Sequence, residues 1–269
     1  MQLKPNALKH ALSNKQVQIG LWTCLSSAYS TELLAGSGYD WLTLDMEHSP
    51  NDLRGVLAQM QALGGYAVEP VVRLLRFDKD LVKQYLDLGA RTLVLPNIES
   101  ADEARAIVRA VRYPSASSDV DGGGIRGVAG LQRANRWGRV PNYHRDAEQE
   151  LCILAQIESA KGVENAAAIA AVDGIDGFFV GPSDLAASLG HINQPMEPVV
   201  QQAIAQALAA ATAVGKGCGI LARNEVEAQR YTEMGYLMIG LGSDQGLLAK
   251  ASDELVARYR ALEGVPNFV

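Results

Sequence analysis

The stretch Trp41–Gly65, "WLTLDMEHSPNDLRGVLAQMQALGG", holds one complete structural unit. "WLTL" is apolar without polar alternation, as suits a strand buried on both faces. Asp45, Glu47 and His48 then crowd three ionisable side chains onto the strand's end, which is costly unless they act on something. Pro50 is expected at the first position of a helix. Leu53, Val56, Leu57, Met60 and Leu63 give that helix an apolar stripe, and Gly64-Gly65 stops it.

The same unit recurs on both sides. Eight short apolar, β-branched runs punctuate the chain: "VQIGLWTCL" near 17–25, "WLTLDMEH" near 41–48, "VEPVVRL" near 68–74, "TLVLPNI" near 92–98, "CILAQIE" near 152–158, "GFFVGPSD" near 177–184, "GCGILAR" near 217–223 and "YLMIGLGSD" near 236–244. Helical patterns lie between them. Ser100 with Glu103, and Asn224 with Glu227, read as helix starts of the capping-box kind. "GLLAKASDELVARYRALEG" reads as a long final helix with Leu255, Tyr259 and Leu262 on one side. Eight strands interleaved with helices in 269 residues predict an α/β fold, a (β/α)8 TIM barrel forming one domain over residues 1–269, with an extra C-terminal helix. An open doubly wound sheet is the alternative, but no early glycine-rich strand-to-helix turn is present. "GGGIRG" at 122–127 follows a helix and reads as a loop, within an oversized connection over 114–150.

Bulk composition narrows the function classes. The chain is 48% hydrophobic and 20% charged, with a formal net charge of −6. That balance argues against sequence-independent nucleic-acid binding and against an anionic membrane surface. No apolar run is long enough to span a bilayer, and the N-terminus has no signal-like apolar stretch. Cys24, Cys152 and Cys218 sit in apolar runs without metal-type spacing, as reduced core residues do. A cytoplasmic location is the expectation.

A barrel enzyme carries its chemistry at the C-terminal ends of its strands. Here those ends carry Asp45, Glu47 and His48, then Arg73, then Gln156 and Glu158, then "GPSD" closing on Asp184. Glu158 and Asp184 are hard oxygen ligands on neighbouring strands, as an open Mg²⁺ or Mn²⁺ site uses; each alone also fits a capped helix start. Gly181 and Ser183 offer backbone N–H groups to a carboxylate at a helix start. Arg73 suits an anionic oxygen or a developing enolate, with an ion pair to Asp45 or Glu47 as the structural alternative. His48 suits proton transfer near neutral pH, with Asp87 as a candidate to orient it. A Lewis-acid metal, an arginine and an imidazole together suit enolisation of a 2-oxo acid. No lysine stands at a strand end, which counts against Schiff-base chemistry.

With those residues in place, the sequence resembles the metal-dependent (class II) pyruvate aldolases of the HpcH/HpaI family. The similarity runs from "IGLWTCLSS" to the last strand. It rests on "LDMEHSPND", "PVVR", "GIRGV", "RANRWGRVPNY", "QIES" and "VGPSDLAASLG" taken together. The resemblance implies Glu158 and Asp184 as ligands of Mg²⁺, Mn²⁺ or Co²⁺, and Arg73 as stabiliser of the enolate of pyruvate, or a similar 2-oxo acid, before attack on an aldehyde. It implies His48 as an acid–base residue paired with Asp87, the latter from a neighbouring subunit, and Asp45 as a positioner of Arg73 or of metal-bound water. Gln156 would contact pyruvate, Gly181, Pro182 and Ser183 would hold its carboxylate, and Trp22 and Leu221 would line the site. A hexamer built as a trimer of dimers, with the C-terminal helix exchanged between barrels, is also implied. Met46 stands where the family usually has glycine, and "SASSDVDGGG" lengthens the loop before "GIRGV". A CoA-thioester lyase of the citramalyl or malyl type is the main alternative, with Arg133, Arg136 and Arg139 as its one basic cluster. A 2-oxo acid decarboxylase and a non-catalytic interaction protein are the others.

Overall fold

In the computed structural model, which describes residues 1–114 and 123–262, eight parallel strands pair in sequence order and the eighth returns to the first, closing a barrel. The strands are β1 (Gln18–Thr23), β2 (Trp41–Asp45), β3 (Glu69–Arg73), β4 (Thr92–Leu95), β5 (Cys152–Ile157), β6 (Gly177–Val180), β7 (Gly217–Leu221) and β8 (Met238–Ser243). The helices are α1 (Ala7–Ser13), α2 (Ala28–Ala35), α3 (Leu53–Ala62), α4 (Lys79–Leu88), α5 (Ala101–Val111), α6 (Tyr143–Asp146), α7 (Ala160–Glu164), α8 (Ala166–Ala170), α9 (Pro182–Ser188), α10 (Pro198–Ala213), α11 (Glu225–Met234) and α12 (Asp244–Arg260). Each apolar run of the sequence holds one strand. The greater part of the lengthened 115–124 segment lies outside the described residues.

Alternation along each strand sorts side chains into two layers. Leu42, Leu44, Val72, Leu93, Ile153 and Ala155 face outward into the shell between barrel and helices. Trp22, Trp41, Val71, Val94, Leu154 and Phe179 fill the lumen. The lumen is packed tightly enough that a Cβ at Gly20 would stand 2.1 Å from the Trp41 ring. Leu8 and Leu12 of α1 join this inner cluster and close the barrel's N-terminal end, with Asn6 Nδ2 donating to Thr92 Oγ1 at 3.0 Å. The polar residues at the opposite end share the lumen's parity. Asp45 follows Trp41 and Thr43 on one face, and Arg73 follows Glu69 and Val71, so both project into the top of the barrel.

Helix starts follow the sequence with one correction. Ser100 Oγ accepts from Glu103 N at 3.2 Å, and Glu103 Oε2 accepts from Glu99 N at 2.8 Å. Asn224 and Glu227 repeat the arrangement around Arg223 N. Pro50, however, stands outside α3, which is capped by Asp52 accepting from Gly55 N at 2.7 Å. The chain first makes a polar turn in which Ser49 Oγ and Asn51 Nδ2 both donate to the Asp45 carbonyl, and that delays the helix. The final helix, α12, buries only Asp244 and exposes Leu247, Leu248, Leu255, Val256 and Tyr259. Among the described residues no helix is long and apolar enough to cross a membrane.

Candidate active site

Parallel pairing of β2 with β3 sets Asp45 directly across from Arg73. The pair is bidentate, with Arg73 Nε donating to Asp45 Oδ1 at 2.7 Å and Nη2 to Oδ2 at 2.8 Å. The ion pair posed as an alternative reading of Arg73 is therefore formed. Asp45 is wholly buried and also accepts the amides of Glu47 at 3.0 Å and His48 at 3.3 Å. Burial alone would raise its carboxyl, but the Arg73 bonds and the two amides outweigh burial and hold it below its usual range. Arg73 Nη1 also lies 2.9 Å from Glu47 Oε2, an ion pair whose angles fall short of a hydrogen bond.

Glu158, one residue beyond β5, is 7% exposed. Its Oε1 accepts Asn97 N at 2.7 Å, and its Oε2 accepts Gln156 Nε2. Gly181 makes room for it, since a Cβ there would stand 2.7 Å from Glu158 Oε2. Helix α7 is capped by Ser159, not by Glu158. Burial, followed by the charges of Glu47 and Asp184, pushes the Glu158 carboxyl up to about 7. Gln156 Oε1 is buried without a partner. A buried carboxylate facing two other carboxylates, beside an orphaned amide oxygen, fits a divalent cation with open positions for substrate oxygens. Among the described residues no three His, Cys, Asp or Glu side chains form a metal cage, so the fit is to a two-carboxylate site.

One prediction concerns pH. Glu158's folded value lies above its ordinary 4.5, so the folded chain keeps a proton that the unfolded chain releases. The associated stability is complete below pH 4.5 and is lost as pH rises through about 7. Thermal unfolding of chelated protein across that window should show a falling Tm, and Glu158→Gln should flatten the slope. A slope unchanged by the substitution would refute the assignment to Glu158.

Other sequence expectations are met in part or corrected. His48 is exposed at the rim. Asp87 is engaged by Arg126, whose Nη2 donates to Asp87 Oδ1 at 3.0 Å, and no hydrogen bond joins it to His48 among the described residues. The Gly181 amide is spent on the Ile157 carbonyl at 3.3 Å, which leaves Ser183 and Asp184 as the amides that the first turn of α9 does not satisfy. Trp22 is 3% exposed and lies under Arg73, not along an open wall, and Leu221 packs on the same inner cluster. Met46 packs into the outer shell with Tyr85 Oη donating to its Sδ at 3.5 Å. Arg133 donates to the Leu88 carbonyl and Arg139 to that of Arg136, so the basic triplet is partly spent on backbone.

The sequence reading placed Glu47 at the rim without its effect on Glu158, and it missed Asn97 and Asp244. Glu47 raises Glu158 and pairs with Arg73. The Asn97 amide, in a left-handed residue after β4, holds Glu158. Asp244 accepts Cys24 N at 2.8 Å and Leu25 N at 3.2 Å, tying the β1 loop to β8. Its "GSD" repeats the "GPSD" strand ending, and that was the available signal. A cavity of about 600 Å³ lies at the barrel's N-terminal end. Its charges are internally matched, with Lys9 on Asp176 at 3.1 Å and Arg112 on Asp173 at 2.9 Å.

A closed parallel barrel with carboxylates and an arginine gathered at the C-terminal rim is an enzyme's architecture. The sequence matches the HpcH/HpaI aldolase/citrate lyase family over residues 18–251. It is 48% identical to 4-hydroxy-2-oxo-heptane-1,7-dioate aldolase of Salmonella heidelberg (strain SL476) over 257 residues, 95% of each chain. An HpcH/HpaI aldolase/citrate lyase family protein from Burkholderia cenocepacia J2315 superposes with a TM-score of 0.91 at 42% identity, covering 95% of this chain and 100% of that one. The HpcH/HpaI aldolase from Desulfitobacterium hafniense DCB-2 gives 0.88 at 27% identity, covering 96% and 98%. The chain belongs to the HpcH/HpaI aldolase/citrate lyase family, and it is a lyase of the aldolase kind.

Proposed function

We propose that the chain reversibly cleaves 4-hydroxy-2-oxo acids to pyruvate, or a similar 2-oxo acid, and an aldehyde, with a divalent metal as cofactor. The observation that carries this reading is the gathering at one rim of the buried Glu158, held by the Asn97 amide, Asp184 in the first turn of α9, and Arg73 fixed by Asp45. The 48% identity to a 4-hydroxy-2-oxo-heptane-1,7-dioate aldolase supports a substrate of that class. Glu158 and Asp184 would hold Mg²⁺, Mn²⁺ or Co²⁺, which when bound supplies Lewis acidity at the 2-oxo group.

The chain's own residues do the rest. Ser183, framed by Gly181 and Pro182, receives the substrate carboxylate, and Gln156 turns its free Oε1 toward the 2-oxo acid. Arg73, fixed by Asp45, presents its remaining N–H groups to the enolate oxygen as charge develops there. His48, tethered through its own amide and exposed, takes the proton from the 4-hydroxyl as the C3–C4 bond breaks, and returns it in the synthetic direction. We further propose a single barrel domain working in the cytoplasm as a hexamer, a trimer of dimers. The unpartnered apolar face of α12 supports exchange of that helix between barrels, and Asp87 acts across the subunit boundary.

Deuterium exchange of the pyruvate methyl protons, followed by NMR with chelated protein and with added Mg²⁺ or Mn²⁺, tests the proposal. Metal-dependent exchange is expected. His48→Ala should keep exchange and lose aldol cleavage; loss of both would make His48 the enolising base. Absence of exchange with every divalent metal would remove the pyruvate reading and favour a CoA-thioester lyase.

A further inference from the structure

Asp45 grips Arg73 in its own plane through two hydrogen bonds, while Glu47 approaches Nη1 at 2.9 Å without one, and in-plane bonds do not stop a guanidinium from swinging out of that plane. The face toward the barrel's interior is covered by Trp22, whose ring centroid lies 4.3 Å from Arg73 Cζ. Below it, Phe179 meets Trp22 edge-on at 5.4 Å, and Trp41 meets Phe179 edge-on at 6.4 Å. The lumen is therefore a column of three rings with the guanidinium resting on top. Strand pairing aims the uppermost ring. The register of β1 against β8 breaks between Gly20 and Trp22, so that Gly20 faces Gly240 but Trp22 faces Ser243. Irregularities of this kind re-aim side chains near active sites. Gly240 leaves the indole its space, since a Cβ there would stand 3.2 Å from Trp22 Nε1.

The indole N–H has no partner although it is buried. A residue serving only as core filling would avoid that cost, which leucine or phenylalanine does not incur. Tryptophan's distinguishing gain here is its large π face, the strongest partner among side chains for a guanidinium. We infer that Trp22 is a positioning residue that fixes Arg73 from below for stabilisation of the enolate. This rests on the role proposed above for Arg73 and departs from the expectation that Trp22 lines the substrate pocket.

Trp22→Leu and Trp22→Phe, each made in the wild-type and Arg73→Lys backgrounds, test it by pyruvate exchange kinetics. Trp22→Leu should lower kcat about tenfold, and Trp22→Phe about threefold, with KM changed less than about twofold. In the Arg73→Lys background both losses should shrink to less than about twofold, because the two residues act as one unit. Equal losses in the two backgrounds, or an effect confined to KM, would overturn the inference. A crystal structure of either folded variant gives a readout independent of activity: Arg73 should be displaced or adopt several conformers. An unmoved Arg73 would also overturn it. Absence of exchange in the wild type would instead count against the aldolase reading, with the crystal structure still deciding the placement of Arg73.

Discussion

Arg73→Lys is expected to slow pyruvate proton exchange by about 10²–10³-fold, the loss seen when one preorganised donor to a developing oxyanion is removed. Lysine keeps the positive charge, so the buried Asp45 carboxylate still has a partner and the barrel should remain folded. Geometry is what the substitution removes. The guanidinium binds both Asp45 oxygens and approaches Glu47 at the same time, leaving N–H groups directed elsewhere. An ammonium is a point charge on a flexible stem and cannot hold a carboxylate in two places while facing a substrate. The loss should fall on kcat, with Tm within a few degrees of wild type. A loss below about tenfold would reduce Arg73 to the structural ion pair that the sequence also allowed.

The barrel was legible because its strands are buried on both faces and announce themselves as unbroken apolar runs. The rim stood out for the same reason, since several ionisable residues at the ends of such runs are together hard to explain as caps and ion pairs alone. What escaped depends on three-dimensional register and on competition for hydrogen bonds. The sequence left Arg73 open between substrate and ion pair, and only the β2–β3 register puts Asp45 across from it. Pro50 looked like a helix start because nothing local shows that Ser49 and Asn51 turn back onto the Asp45 carbonyl. The Gly181 amide looked available because its claim by Ile157 crosses between strands. Asp87 pairs with Arg126, 39 residues away, a contact that no short-range pattern encodes. The family resemblance implied that Trp22 lines the pocket, and a resemblance gives no sign that the ring lies 3% exposed beneath Arg73.

Asp45→Ala should cost about 3–5 kcal/mol of stability, measured by urea unfolding, as expected when one partner of a buried ion pair is removed. The carboxylate is 0% exposed and Arg73 is 7% exposed, so water cannot take over the broken interactions. The deletion strands the guanidinium and also frees the amides of Glu47 and His48. Acid sensitivity follows the same bond. Asp45 titrates below its ordinary 3.8, so its contribution is present above that value and is lost as pH falls through the lower folded value, and the variant should lack this component. Pairing Asp45→Ala with Arg73→Met separates charge from packing. If the penalty comes mainly from an unpaired buried cation, removing that cation should restore much of the lost stability, because apolar replacements of buried pairs are often neutral. If the double variant is no more stable than the single one, the cost lies in the freed turn amides and the cavity. In that case Asp45 serves the "MEHSPN" turn that carries His48 more than it serves Arg73.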